Sequence, residues 1–484
     1  MFKTSVVVLL GAFVLGLAVT VAFSPLVGAG MLLVASVFAM VLGNPIALSG
    51  LFFVWSAVLY NLLMLYPLPG MVGYLDELLS LAAVGIVLVH AVLLRADISQ
   101  LKHMTKVYSW LLLFGVLSFL VNRPPALNAA HFAISYLSFY PLFCITYMNR
   151  GSVRPKHIWR IVLAFILLQL LLNFTWFAGV NPIRNFRNWV DLATGTLLSA
   201  NVVAYFTIAA IVMVLDALRQ KIGNAMTLIG LLVLLLLQLY FTYTNHAYIL
   251  LPVAIVAYYV AQSNRMKDAF QAIVTLLVVG LLLVGTLRFF DVAYVREMRM
   301  SQTELLSYEN LSRRAKMLMD EQKVDLFMRI HETASLHQYV LGFGPGNGTS
   351  SIAVHYVTPK ALDLLGVYYL TFSGTQEQAG GSITQGPRSG LNTLISDLGW
   401  AGTLLFIWMH VYACIRIFVR LRHQQYTNRH QHVLASAALI LAMQYTSINL
   451  LVDYYAQDFF WVPLWILVAL VWEPTPEGQT QDRQ

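Results

Sequence analysis

Two arginines in one short polar segment indicate a site for a phosphorylated ligand. Arg184 and Arg187 lie in the segment NPIRNFRNWVD, between two apolar stretches. Guanidinium groups bind phosphate oxygens through paired hydrogen bonds and do not lose their charge. The pair therefore predicts a pyrophosphate site, for which Arg288 is a further candidate. A salt bridge with Asp191 or contact with lipid headgroups is the alternative.

Histidines late in the chain are candidates for a general base. His331, His337 and His355 lie in a polar stretch, and imidazole can take a proton from a hydroxyl near neutral pH. We predict His331 or His337 as the catalytic base, with a carboxylate as the alternative. A solvated histidine without a catalytic role is the other interpretation of each.

The elements that carry these residues belong to a membrane protein. Of the 484 residues, 59% are hydrophobic and only 11% are charged, too few to cover a water-facing surface. The two cysteines cannot form a disulfide framework. Motifs typical of metalloproteases, serine hydrolases, CxxC sites and P-loops are missing, so the sequence predicts no metal and no cofactor.

Hydropathy predicts an all-α polytopic protein with about fourteen transmembrane helices. The spans fall near 5–23, 26–43, 47–66, 74–94, 108–121, 129–148, 161–180, 198–215, 223–242, 246–261, 271–289, 397–415, 433–451 and 458–472. The first is predicted to be a retained helix, because no small-residue cleavage site follows it.

The basic residues predict the orientation. With the N-terminus in the cytoplasm, 17 of the 30 lysines and arginines fall in cytoplasmic loops and only three in short outside loops. Both termini are therefore predicted to be cytoplasmic, and the net charge of +8 indicates orientation in a membrane, with no nucleic-acid partner. Polar residues gather at the predicted outside ends of the spans, which favours a water-accessible site there: Asp76, Glu77, Arg123, His131, Arg184, Arg187, Asn201, Asn245, His246, Arg288, Arg388, Asn449, Asp453 and Asp458.

One large extracytoplasmic loop interrupts the spans. We expect transmembrane helices 1–11 in residues 1–289, the loop domain in 290–391, helices 12–14 in 392–472 and a cytoplasmic tail in 473–484. Ser301 and Glu304 form a possible capping box before apolar residues at helical spacing: Leu311, Ala315, Leu318, Val324, Phe327, Ile330 and Ala334. Such a helix is expected to lie on the outer membrane face or on the bundle.

Two polar segments follow in this loop. The run GFGPGNG, at 342–348, resembles a phosphate-binding loop but follows a helix, so we expect a turn that positions the loop on the bundle. Residues 373–390 are predicted to form either a mobile flap over a site or a flexible connector.

Three motifs together resemble the O-antigen polymerase and O-antigen ligase family. They are LGFGPGNG, then NTLISDLGWAGTLLF with the G-x-x-G pair Gly399 and Gly402, and VDLATGTLLSANVVAYF after the arginine pair. The resemblance covers roughly residues 160–450. It implies a metal-independent, inverting C-type glycosyltransferase whose donor is an undecaprenyl-pyrophosphate-linked oligosaccharide, at the outer face of a bacterial inner membrane.

The resemblance also implies roles for single residues. Arg184 or Arg187 matches the family's pyrophosphate-binding arginines by position. Many ligases carry a histidine where this chain has Pro387 and Arg388, so we expect a polysaccharide polymerase rather than a ligase, with Arg388 as a candidate catalytic residue. A lipid-linked oligosaccharide flippase and a non-catalytic assembly subunit remain alternatives. A chain-length regulator or another assembly protein is a candidate partner, beside membrane lipid.

Overall fold

The computed structural model describes residues 46–59, 75–88, 99–177, 196–197, 199–242, 244–262, 274–275, 277–281, 321–365, 389–451 and 458–474. All regular secondary structure within these ranges is helical, as the all-α prediction requires. The predicted spans 5–23 and 26–43 lie outside the described residues, as do the capping box at Ser301 and most of the segment 373–390.

The α-helices follow one another with few residues between them in the well-described parts. In chain order they are α1 Ile46–Val54, α2 Leu75–Leu88, α3 Lys102–Asn122, α4 Ala126–Leu137, α5 Phe139–Met148, α6 Pro155–Phe177, α7 Ala200–Arg219, α8 Ala225–Phe241, α9 Asn245–Gln262, α10 Glu321–Thr333, α11 Leu336–Leu341, α12 Ser351–His355, α13 Pro359–Leu365, α14 Gly390–Arg422, α15 Arg429–Leu451 and α16 Asp458–Val471.

Five of these helices are long and apolar enough to cross a membrane, namely α3, α6, α7, α14 and α15. Each coincides with one of the predicted spans. Helices α4 and α5 are bent by 44° and together make a sixth candidate at the predicted span 129–148. Shorter apolar helices, α1, α8, α9 and α16, cover parts of four further predicted spans.

The bend between α4 and α5 has an identifiable cause. Pro141 has no backbone N–H and so cannot donate to the carbonyl of Leu137, one helical turn earlier. The Tyr108 hydroxyl donates to that carbonyl instead, at 3.0 Å. A side chain of the neighbouring helix α3 therefore supplies the hydrogen bond that the proline removes.

Helices α7 and α15 form the centre of the bundle, whereas α3 lies at its edge. Most of α7 and α15 is buried, while large apolar side chains of α3 such as Trp110 and Leu120 are exposed. Small residues let the central helices approach closely, because van der Waals packing rather than a hydrophobic gradient drives helix association in lipid. On these two helices they include Ala204, Ala209, Ala210, Ala435, Ala437, Ala438 and Ala442.

Residues 321–365 form a helical layer at one end of the bundle. The layer has its own small core, to which α14 contributes Ile395; the other buried members are Leu326, Ile330, Phe343, Ala353, Val354, Ala361, Leu364 and Leu365. The first turns of α14 therefore belong to this layer, and the predicted boundary between residues 391 and 392 falls inside that helix.

The helical pattern predicted for this layer is correct only in part. Helix α10 forms, and Ile330 is buried as expected, but Val324 is half exposed and Leu326 takes its place in the core. The helix ends at Thr333, and α11 begins after a capping box made by Ser335 and Gln338. That second start interrupts the single helix that the spacing predicted.

Gly399 breaks α14 in two. Its φ of 66° is left-handed, and a side chain there would collide with the backbone of Val340 and Gly342. The hydroxyl of Thr403 donates to the Gly399 carbonyl at 2.6 Å. The first part of α14 thus packs in the helical layer, while the second continues through the bundle.

Candidate active site

A polar cavity of about 220 Å³ lies where four helices meet at the helical layer. Helices α2, α4, α12 and α16 supply its walls, and all but two of the lining side chains are polar: Glu77, Ser80, His131, Ile134, Ser135, Ser351, Ile352 and Asp458. Polar groups that converge in a concave site next to a membrane bundle are the expected setting for chemistry on a hydrophilic substrate.

His131 and Glu77 face each other across this cavity. The imidazole Nε2 lies 3.6 Å from Glu77 Oε1, and each side chain is about one fifth exposed. At this separation the two atoms lie just beyond ordinary hydrogen-bond distance, too close together for a water to lie between them. The other ring nitrogen, Nδ1, lies 3.4 Å from the hydroxyl of Tyr356. A histidine placed between a carboxylate and a hydroxyl can accept a proton at one nitrogen while the other is oriented.

Ser351 and Asp458 complete the polar wall. Each is the first residue of its helix, α12 and α16 respectively. The Ser351 hydroxyl lies 3.5 Å from the hydroxyl of Tyr136, which is on the same helix as His131. Asp458 places a carboxylate in the first turn of α16.

The glycine-rich run positions Ser351, because it wraps around the buried carboxylate of Asp397. Backbone N–H groups of Asn347, Thr349 and Ser350 donate to that carboxylate at 3.1–3.2 Å. The hydroxyls of Ser350 and Ser396 donate at 2.9 and 3.0 Å. Successive N–H groups of such a loop form a concave anion site, and here a carboxylate of the same chain occupies it.

The same loop also contacts the helix that carries His131. The Asn128 side chain, one turn before His131 on α4, donates to the Gly346 carbonyl at 3.3 Å. At Gly348 a Cβ atom would lie 2.5 Å from Ser396 Oγ and 2.7 Å from Asp397 Oδ2, so no side chain fits there. The loop agrees with the expectation of a turn that seats this region on the bundle.

The sequence-predicted bases lie elsewhere in the helical layer. His331 Nδ1 is 2.7 Å from the Phe327 carbonyl, and the Trp400 indole N–H donates to Nε2 at 3.1 Å, so both ring nitrogens are engaged. His337 is exposed, with its ring beside the Ser335 hydroxyl at 3.0 Å. Neither lines the polar cavity. The predicted Arg184, Arg187, Arg288 and Arg388 lie outside the described residues.

Sequence reasoning found the cavity's ionisable residues without selecting them. Glu77, His131 and Asp458 were among the polar residues at predicted outside ends, and their shared signal is a position at the start of predicted spans four, six and fourteen. No sequence pattern indicated Ser351, because its position at the cavity depends on how the preceding loop folds. Within the described ranges no three His, Cys, Asp or Glu side chains converge in a way that would hold a metal.

A second polar cluster is buried at the opposite end of the bundle. Asp216 of α7 accepts from the Ser436 hydroxyl at 2.7 Å and from the Tyr258 hydroxyl at 3.0 Å. His432 Nδ1 lies 2.8 Å from the same carboxylate. Helices α7, α9 and α15 are thus joined around a fully buried acid, the arrangement in which ionisable groups are tolerated inside a bundle.

Comparison with known proteins gives no family assignment. No protein-family model matches the chain, and no curated protein matches it significantly. What the chain does is therefore argued from its cavity, its helices and its short motifs.

Proposed function

We propose that this chain is a glycosyltransferase of the bacterial inner membrane that polymerises undecaprenyl-pyrophosphate-linked oligosaccharide repeat units into a surface polysaccharide or exopolysaccharide. The motif resemblance supplies the reaction class. The observation that carries the proposal is the His131–Glu77 pair, 3.6 Å apart in a polar cavity beside the glycine-rich loop. That pair provides the base which the resemblance left unassigned.

The grouping of residues supports the proposed fourteen-span topology. Glu77, His131 and Asp458 start three spans that the topology enters from outside, and they share one cavity. At the other end Glu473, which the topology makes cytoplasmic, forms ion pairs with Arg150 and Arg416. The proposed topology has both termini cytoplasmic and the large loop periplasmic, and the residues that it assigns to one side of the membrane lie together.

In the proposed reaction His131 acts as general base. It takes the proton of an acceptor sugar hydroxyl, and the oxygen attacks the anomeric carbon of the donor with inversion. The bond from that carbon to the pyrophosphate oxygen breaks, and undecaprenyl pyrophosphate leaves. Glu77 stabilises the imidazolium that forms, because opposite charges at this distance attract strongly in a partly dry cavity.

Arginines complete the proposed chemistry at the leaving group. Arg184, Arg187 and Arg288 would bind the pyrophosphate, and Arg388 would act beside the reacting centre. Guanidinium groups stabilise the negative charge that grows on the departing group, which lowers the barrier more than it tightens ground-state binding. No metal is required in this scheme.

The cavity volume indicates how much of the substrate is enclosed. About 220 Å³ is below the roughly 300–1,000 Å³ of sites that enclose a whole small ligand. The cavity therefore suits the reacting end of a chain, with the remaining sugars outside. This is what a polymerase needs, because one of its two substrate chains lengthens with each cycle.

The test is polymer formation by purified protein in proteoliposomes supplied with lipid-linked repeat units and a metal chelator. His131→Ala should lose about 10²–10⁴-fold in rate, the usual contribution of a general base. His423→Ala is the matched control, because His423 is exposed at the far end of α14 and should leave the rate unchanged.

Three results would change the assignment. If His337→Ala abolishes polymer while His131→Ala does not, the base lies in the helical layer and the cavity has another role. If no polymer forms but labelled lipid crosses the bilayer only with protein present, the chain is a flippase. Transfer to a lipid A acceptor instead of chain growth would identify a ligase.

A further inference from the structure

Helix α11 exposes apolar side chains along most of its short length. Leu336 is 85% exposed, Tyr339 43% and Val340 41%. Helix α10, which precedes it, also exposes Met328. A soluble surface seldom groups such residues, and an exposed apolar patch on a membrane protein marks an interaction surface.

The level of α11 along the bundle can be estimated from α14. Helix α11 packs on α14 and α3, and the backbone of Val340 lies directly against Gly399. From Trp400 to Arg422, α14 covers about 34 Å at roughly 1.5 Å per residue, close to the ~30 Å hydrocarbon thickness. Its far end carries Arg420 and Arg422, which suit the opposite interface. Helix α11 therefore sits at the height of one membrane surface.

The exposed side chains continue a lipid-facing surface. The Tyr339 ring lies 6.3 Å from that of Trp400, and one turn along α14 Leu404 is 59% exposed. On α3, Leu120 is 60% exposed near the same end of its helix. Tryptophan and tyrosine concentrate at the headgroup level of membranes, with aliphatic side chains below them.

From this continuity we infer that α11 is an interfacial membrane anchor, with Leu336 and Val340 inserted into the outer part of the adjacent lipid leaflet. Tyr339 and Trp400 lie at the headgroup level. The anchor holds the helical layer at a fixed height on the bundle, since the glycine-rich loop begins directly after α11. The inference rests on exposure and position alone and does not depend on the proposed reaction.

The experiment compares a fluorophore at position 336 with one at position 332. Cys144 and Cys414 are first replaced by alanine, and Leu336→Cys and Glu332→Cys are made separately in that background. Glu332 is exposed on the neighbouring helix and serves as the matched polar control. Each labelled protein is placed in phosphatidylethanolamine and phosphatidylglycerol vesicles that contain lipid brominated near the top of the acyl chain.

An anchor requires opposite quenching at the two positions. The label at 336 should be quenched by brominated lipid and not by iodide, and its emission should lie at a shorter wavelength than that of the label at 332. The label at 332 should be quenched by iodide. Iodide quenching of both labels would overturn the inference, because α11 would then face water. Protection of position 336 from both quenchers would also overturn it, since a protein surface would then cover α11. Both positions are exposed, so both variants should remain folded, which size-exclusion chromatography in detergent checks.

Discussion

Ser350 donates two hydrogen bonds to Asp397, one from its backbone N–H at 3.2 Å and one from its hydroxyl at 2.9 Å. The next residue, Ser351, lines the polar cavity. Asp397 is fully buried on α14, so the cavity wall is fixed to the bundle through one carboxylate. Asp397 is thus a positioning residue, because it acts on the cavity through Ser350.

Replacing this carboxylate by an amide should weaken the fold. In Asp397→Asn one acceptor oxygen becomes an NH₂ group that faces N–H and O–H donors. A buried donor left without an acceptor costs about 1–3 kcal/mol, so the unfolding temperature in detergent should fall. Asp363→Asn is the control, because that carboxylate is 62% exposed and forms a surface ion pair with Lys360. Equal unfolding temperatures for the two variants would show that the loop does not depend on Asp397.

A single methyl group at Gly348 should have a similar effect for a steric reason. Gly348→Ala would place Cβ within 2.7 Å of Asp397 Oδ2, and overpacking of this kind typically costs about 1–3 kcal/mol. Gly115→Ala, on α3, meets no atom within 4 Å and should keep or slightly raise stability. Thermal unfolding of both variants measures the difference. A stable Gly348→Ala protein would mean that the loop is packed less tightly than described.

The cavity pair should behave as one unit in kinetics. Glu77 acts through His131 in the proposed reaction, so Glu77→Gln should slow polymer formation less than His131→Ala does. The double variant should be no slower than His131→Ala alone, because Glu77 has no imidazolium to stabilise once His131 is removed. Initial rates of polymer formation in proteoliposomes test this. Losses that multiply in the double variant would show that the two residues act independently.

The buried cluster around Asp216 should contribute stability rather than activity. Ser436→Ala removes a hydrogen bond to a buried carboxylate, which is worth about 1.5–3 kcal/mol. Ser447→Ala on the same helix removes an exposed hydroxyl that donates to backbone carbonyls of α15, and it should change stability by no more than about 0.5 kcal/mol. Chemical denaturation in mixed micelles compares them. An equal effect of both changes would contradict a stabilising role for the cluster.

Hydropathy predicted the position of the long helices but not the bend within the span 129–148. The bend before Pro141 follows from the missing N–H, although the donor that replaces it, Tyr108, is 29 residues from Leu137 and cannot be identified from local sequence. Similarly, Val324 had the right spacing for a buried position. It is exposed because the layer packs on α14 through Leu326, and that choice depends on tertiary contacts.

The polar residues predicted at the outside ends of the spans include three that line the candidate cavity, Glu77, His131 and Asp458. The sequence did not predict that these three would meet. Which of those residues meet depends on how α2, α4 and α16 pack, and spacing along the chain contains no such information. His131 and Glu77 are 54 positions apart, yet their side chains come within 3.6 Å.

The hydrogen bonds between the glycine-rich loop and Asp397 also determine when this loop can fold during synthesis. The loop's donors precede Asp397 by 47 to 50 residues, so they leave the ribosome first and have no carboxylate to bind. Only when the start of α14 emerges can the loop close around it. Folding of residues 342–350 is therefore coupled to insertion of α14, and a chain stalled before Asp397 would present this loop open to proteases.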